Sequence, residues 1–347
     1  MSSSINLESR IKGAIIGVAV ADALGGPVEF KRRGTFPKVT DLQENLTFGL
    51  PAGAWTDDTS MTLCLAKSLI DTKSFSSASQ LQNYIAWFHS GYLSSTGHCF
   101  DIGNLTRITL SFWSSHVPNK PVSSKATNDL PSEEVIEELQ KELNKSHARE
   151  VYCGNGSLMR TVPIGLFYYS SSEEDIVKYS HLASQLTHPY HTNGEACAVY
   201  SILVAYILST GETSATTTPS KKAVFEKFKT FEFQSKVLKD RFAVYETLED
   251  FGSREEKLIS SSGFVVHSLE AALWAFFSTE SWEEGALKVV NLGDDADTVG
   301  AIYGGLAGAY YGLEAIPETW RERLMQKDVV NEIAEGLWKV IVERGDN

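Results

Sequence analysis

Two short stretches of this chain concentrate oxygen-bearing side chains. They are Trp55-Thr56-Asp57-Asp58-Thr59-Ser60-Met61 and Asn291-Leu292-Gly293-Asp294-Asp295-Ala296-Asp297-Thr298. Each places Asp and Thr at the start of an apolar run with helical periodicity. One reading is helix capping, in which carboxylate and hydroxyl oxygens satisfy free N–H groups and suit the helix dipole. A cap needs one acceptor, however, and each stretch brings at least two carboxylates and a threonine hydroxyl. Like charges packed that closely repel unless a cation offsets them. The donors are hard oxygens with no His or Cys nearby, which suits Mg²⁺, Mn²⁺ or Ca²⁺ and disfavours zinc and copper. If Asp57, Asp58, Asp295 and Asp297 converge, their charge matches a pair of divalent cations.

A third stretch, Gly154-Asn155-Gly156-Ser157-Leu158-Met159-Arg160, has two readings. It is either a turn with a helix cap or a backbone N–H cradle for an anion such as a diphosphate. It matches neither a dinucleotide fingerprint nor a P-loop. Asp22 and Glu29 flank the turn Gly25-Gly26-Pro27, where lone carboxylates are expected to be solvated. His188, in Thr187-His188-Pro189, reads as a C-terminal helix cap. Asp101 and Asn104, in Cys99-Phe100-Asp101-Ile102-Gly103-Asn104, read as another helix start. Tyr303, Tyr310 and Tyr311 sit at helical spacing and read as core.

The elements that must position these residues are helices. Ile11–Leu24 alternates small and apolar residues, and Gly13 and Gly17, four apart, predict close helix packing. Further helices are expected over Thr59–Ile70, Ala78–His89, Glu173–Leu186, Glu195–Leu208, Lys222–Phe231, Ser235–Leu248, Phe264–Phe277, Trp282–Asn291 and Asp297–Tyr311. Trp320–Glu343 should hold one or two more. Ser157–Tyr169 is apolar but interrupted by Pro163, and Thr213–Lys221 reads as a loop. Pro131–Lys145 is amphipathic and opens as a helix should. It belongs to an expected surface insertion between Pro118 and His147. No strand pattern and no internal repeat is visible. The acidic stretches lie toward opposite ends, which predicts one domain over 1–347 whose ends meet. Two domains with a cleft between them is the alternative.

Composition narrows the function classes. With 31 basic and 44 acidic side chains the formal charge is −13. That disfavours a nucleic-acid surface and an anionic membrane. The four cysteines, Cys64, Cys99, Cys153 and Cys197, form no CxxC pair and read as buried small residues in a reducing compartment. The N-terminus has no basic, apolar leader, and no stretch reaches the roughly 18 continuous apolar residues of a membrane helix. The expectation is a cytosolic protein with no nucleic-acid or membrane partner.

Together the stretches resemble, in order, the motifs of the ADP-ribosylglycohydrolase family. Gly17-Val18-Ala19-Val20-Ala21-Asp22-Ala23-Leu24-Gly25 resembles its opening helix, with Glu29 close behind. The resemblance runs from about Ile11 to Gly312. It implies an all-α, single compact orthogonal helical bundle with two divalent cations, Mg²⁺ or Mn²⁺. By position, Thr56, Asp57 and Asp58 match the first set of metal ligands, and Asp295, Asp297 and Thr298 the second. Glu29 matches a glutamate that gates or assists catalysis in some members. Asn155, Gly156 and Ser157 fall in the phosphate-side loop, and His188 matches a histidine near the ADP-ribose. One departure is Asp294, where the family usually has a second glycine.

Cys99–Asn104 resembles the segment of the dinitrogenase reductase-activating glycohydrolase branch in which an aspartate recognises ADP-ribosylated arginine. Asp101 would then face a guanidinium, a geometrically specific pairing, with Asn104 on the ribose side. The implied activity is hydrolysis of arginine-linked ADP-ribose on a protein or peptide, releasing ADP-ribose. Glu29, Asp57, Asp58 and Asp297 would carry catalysis in a monomer. ADP-ribosylserine or O-acetyl-ADP-ribose as substrate remains open. So does a non-catalytic ADP-ribose-binding or crystallin-like role.

Overall fold

The computed structural model describes residues 5–117, 130–213 and 218–345. Among them the architecture is all-α, with no strand and two isolated β-bridges, Asn45–Leu50 and Gly154–Phe264. The first helices are α1 (Leu7–Gly25), α2 (Asp57–Thr72), α3 (Ser77–Ser90), α4 (Asn104–Ser114) and α5 (Glu133–His147). The middle of the chain gives α6 (Val162–Phe167), α7 (Glu173–Gln185), α8 (His191–Thr213), α9 (Lys221–Lys229), α10 (Lys236–Phe242) and α11 (Leu248–Ser253). The last are α12 (Val265–Phe277), α13 (Trp282–Val290), α14 (Ala296–Tyr311), α15 (Glu318–Glu322) and α16 (Lys327–Gly345).

The core is organised on α1 and α14, both apolar on nearly every face and so buried on nearly every face. They run antiparallel with almost no side chain between them. A Cβ added at Gly17 would lie 2.3 Å from the carbonyl oxygen of Gly304, and one at Gly308 would lie 2.1 Å from that of Gly13. Only residues without side-chain bulk permit that approach. The pairing continues to Gly25, where a Cβ would sit 2.4 Å from the Ala296 oxygen. It therefore sets the end of α1, with Asp22, beside the start of α14, with Asp297. By length and composition Leu7–Val28 is apolar enough to cross a bilayer, but 94% of its most apolar window is buried inside the protein.

The expected helices form, with local differences. Ser235–Leu248 is not one helix. It breaks after α10, where Tyr245 turns inward to donate to Glu270 at 2.6 Å, and Thr247 and Asp250 form a capping box that starts α11. Ser157–Tyr169 splits into a turn and the short α6, which has Pro163 in its first turn. Of the expected insertion, 118–129 lies outside the described residues. The remainder forms α5, whose Ile136 and Leu143 pack into a small apolar cluster with Ile85 and Trp113. All four cysteines are free, and Cys99 is half-buried rather than buried.

Candidate active site

Asp22 organises the start of α2 from another helix. Fully buried, its carboxylate accepts the backbone N–H of Thr56 at 3.0 Å and that of Thr59 at 3.1 Å, and the Thr59 hydroxyl at 2.6 Å. The expectation of a solvated carboxylate is thus overturned for Asp22. Because Asp22 supplies the cap, Thr56 makes no side-chain cap of its own. Its hydroxyl lies 3.0 Å from Asp22 and from Asp58, and 3.4 Å from Asp297. Asp295, at the N-cap of α14, makes no side-chain cap either; it accepts from the Asn155 amide at 2.6 Å. The capping reading therefore explains neither acidic stretch.

The two stretches meet. Carboxylate oxygens of Asp22, Asp58 and Asp297 lie within 4.8 Å of one another, as do those of Glu29, Asp101 and Asp297. Asp297 belongs to both groups. Asp57, Asp295, Asp297, Thr298 and Glu29 line one cavity of about 800 Å³, and Asp58 is fully buried. Glu29 is buried too, against the expectation of a solvated side chain, because it is held against Asp101.

Burial and mutual repulsion set the protonation of this cluster. Burial pushes Asp57, Asp58 and Asp297 well above the usual carboxylate range, and neighbouring carboxylates push further in the same direction. Burial and then the Asp101 charge push Glu29 up to about 10. Burial raises Asp101 to about 7, against a hydrogen bond from Glu29 that favours its charged form. Asp58 Oδ1 and Glu29 Oε2 are buried without a hydrogen-bond partner. Buried acceptors are normally satisfied. Hard oxygens with free lone pairs and excess negative charge fit divalent cations.

The rest of the cavity lining is different in kind. Gly154, Asn155 and Gly156 run along it with Thr106 and His188. Asn155 is anchored by its N–H to the Gly263 carbonyl at 3.0 Å and by its amide to Ser268 at 2.9 Å. Gly156 is pressed against His188, and a Cβ there would meet His188 Cε1 at 2.8 Å. His188 is buried on the cavity wall with Nδ1 2.8 Å from the Thr187 hydroxyl. Burial and then Arg160 hold it down to about 3, so it is neutral. Asn104, the first residue of α4, is exposed at this cavity. Ser157 does not line it: its buried hydroxyl accepts from Ser184 at 2.8 Å. Tyr303 is core, its hydroxyl donating to the Trp282 carbonyl at 2.9 Å.

Asp294 is exposed on the cavity wall with φ 54°. That left-handed conformation is easy for glycine and accessible to Asp. The sequence reading missed Asp22 as the organiser of the cluster, and it missed Thr106, Ser262 and Gly263 on the cavity wall. For Asp22 a signal existed: it is the one carboxylate inside a run whose apolar residues leave no solvated face.

The chain's similarities agree with this geometry. The sequence profile of the ADP-ribosylglycohydrolase family matches residues 3–347. ADP-ribosylarginine hydrolase Tri1 of Serratia proteamaculans (strain 568) is 30% identical over 337 residues, covering 96% of this chain and 80% of that protein. ADP-ribosyl-[dinitrogen reductase] glycohydrolase of Rhodospirillum rubrum is 25% identical over 326 residues, covering 93% and 92%. A solved structure described as an ADP-ribosylglycohydrolase-related protein complex is 32% identical and superposes with a TM-score of 0.74, covering 97% of this chain and 99% of that one. A profile that spans almost the whole chain, beside a relative of that identity, shows that this chain belongs to the ADP-ribosylglycohydrolase family.

Proposed function

We propose that this chain hydrolyses the N-glycosidic bond between ADP-ribose and an arginine side chain, using two divalent cations, Mg²⁺ or Mn²⁺. The observation that carries the reading is the convergence of Asp58 and Asp297 in one buried group, with Asp101 and Glu29 joined to it through Asp297. Thr56, Asp57, Asp58, Asp295, Asp297 and Thr298 would hold the cations. Bound there, the cations supply Lewis-acid polarisation of water and ribose hydroxyls.

The chain's own residues do the rest. The Gly154–Gly156 backbone, beside neutral His188 and Asn104, offers an uncharged, close-approach wall for the diphosphate and ribose. With the cations bound, Asp57, Asp58 and Asp297 would be held ionised beside the position where an oxocarbenium-like transition state develops positive charge. Asp101 pairs with the guanidinium, a planar cation whose fork of N–H groups matches a carboxylate. Glu29 and Asp101 hold a proton between them at the leaving-group side. The meeting of both acidic stretches also supports 1–347 as one domain. The named activities of the Tri1 and dinitrogen reductase relatives favour the arginine linkage over serine.

One assay tests this. Purified protein is incubated with arginine-linked and serine-linked ADP-ribosyl peptides in Mg²⁺ or Mn²⁺, with and without chelator. Release from the arginine peptide, abolished by chelator, is the expected result. Release from serine alone overturns the linkage, and release that survives chelation overturns the dinuclear mechanism.

A further inference from the structure

Phe30 is out of place by two measures. Its φ is 61°, a left-handed conformation that is an outlier for a bulky residue. The residue is 66% exposed, so burial returns little for the strain. Strain of this kind persists where the surroundings impose it and collects at functional sites.

A turn and a distant segment impose it together: the Lys31 N–H donates to the Val28 carbonyl at 3.1 Å, which puts Phe30 where such a turn takes a positive φ. The Phe30 N–H donates to the Asp294 carbonyl at 2.7 Å, and the Asp294 N–H donates to the Lys31 carbonyl at 2.8 Å. Asp294 is itself left-handed, at φ 54°. This backbone clasp ties the segment after Glu29 to the segment before Asp295. It fixes an exposed aromatic residue in the lining of the cavity, next in sequence to Glu29, whose carboxylate meets Asp101.

A carboxylate pair and an aromatic face at one mouth select for a planar cation. A carboxylate takes the edge of such a cation by hydrogen bonds, and a ring takes its face. The adenine is also a planar partner for a ring, and inhibition by ADP-ribose separates it from the guanidinium in the test below.

We propose that Phe30 is a specificity-determining residue that stacks on the guanidinium of the modified arginine while Asp101 pairs with its edge. The inference rests on the arginine-linkage reading above. It accounts for an exposed, strained aromatic that contributes little to the core.

The test compares wild type with Phe30→Leu, Phe30→Tyr and Phe30→Gly on an arginine-linked ADP-ribosyl peptide in Mg²⁺ or Mn²⁺. KM, kcat, inhibition by ADP-ribose and Tm are measured for each. Phe30→Leu keeps apolar bulk without a π face, and it should raise KM roughly five- to thirtyfold, the range a partly desolvated cation–π contact spans. Inhibition by ADP-ribose should stay at the wild-type value. Phe30→Tyr should restore KM. Phe30→Gly relieves the backbone, so its Tm should match or exceed wild type while KM rises as in Phe30→Leu. An unchanged KM in Phe30→Leu beside an active wild type overturns the inference and leaves the linkage reading standing. An equal loss of ADP-ribose inhibition overturns it by assigning the ring to the nucleotide. A wild type inactive on the arginine peptide overturns the linkage reading, and the inference with it.

Discussion

Asp22 and Thr59 lie 37 residues apart, yet the Asp22 carboxylate accepts both the hydroxyl of Thr59, at 2.6 Å, and its backbone N–H, at 3.1 Å. One helix thereby caps another, and the aspartates at the start of the second are freed from that duty. Replacing Asp22 by Ala strands buried N–H donors at the start of α2. The expected cost is about 1–3 kcal/mol in urea unfolding, with turnover falling as Thr56, Asp57 and Asp58 lose their register. Wild-type stability and turnover together in Asp22→Ala would show that the interhelix cap does nothing.

Asp58 carries a different burden. It is fully buried, one of its oxygens has no partner, and its neighbours are carboxylates. Asp58→Asn removes one of the repelling charges. Turnover should fall on the order of a thousandfold. In chelator, the Tm of the variant should exceed that of wild type by about 2 °C. A variant less stable than wild type under chelation would mean that the cluster is not under electrostatic stress.

Chelation should also make stability depend on pH in a defined direction. Burial raises Asp22 to about 6 and Asp101 to about 7, and it raises Asp57, Asp58 and Asp297 as well. The metal-free folded state thus binds more protons than the unfolded chain. The stability these groups contribute is full below the unfolded carboxylate range and is lost as pH rises through the folded values. Cations remove that loss. The Tm gap between Mg²⁺- or Mn²⁺-loaded and chelated protein should therefore widen between pH 5 and 8. A gap that narrows over that window would falsify the electrostatic reading of the site.

In the rest of the cavity lining the limiting quantity is space. Gly156→Ala would press a methyl group to 2.8 Å from His188 Cε1 and 3.1 Å from its Nε2. Loop and imidazole must separate. ADP-ribose affinity, measured by calorimetry, should fall about tenfold, a little over 1 kcal/mol. Divalent-ion affinity should fall less, because the loop reaches the carboxylates through the Asn155 amide on Asp295 and not through Gly156. A variant that loses the metal and keeps the nucleotide would reverse the assignment of the two parts of the lining.

Much of this arrangement was legible before the structure, and the exceptions share a cause. Helices such as α7 and α12 show in local periodicity, and both acidic stretches stand out because they carry more carboxylate than a cap needs. What stayed hidden depends on residues distant in sequence. Glu29 looks solvated until Asp101 arrives against it, and Asp22 looks like a stray acid until Thr56 and Thr59 donate to it. Ser157 sits inside a convincing motif, yet Ser184 draws its hydroxyl away from the cavity. The break between α10 and α11 follows from the buried bond of Tyr245 to Glu270. The left-handed backbone of Phe30 is closed locally by the Lys31 N–H on the Val28 carbonyl at 3.1 Å and tied from a distance by Asp294, and only the second is hidden from the sequence.

The glycine contact between α1 and α14 also has a consequence during synthesis. The most apolar helix near the start of the chain has its resting place on one that emerges only after residue 296 leaves the ribosome. Until then the nascent chain exposes an oily segment with nothing to lie on, the situation in which chaperones engage. A stop just before Ala296 leaves an orphaned α1 and an acidic cluster without Asp297, so a truncated product should be both inert and prone to aggregate.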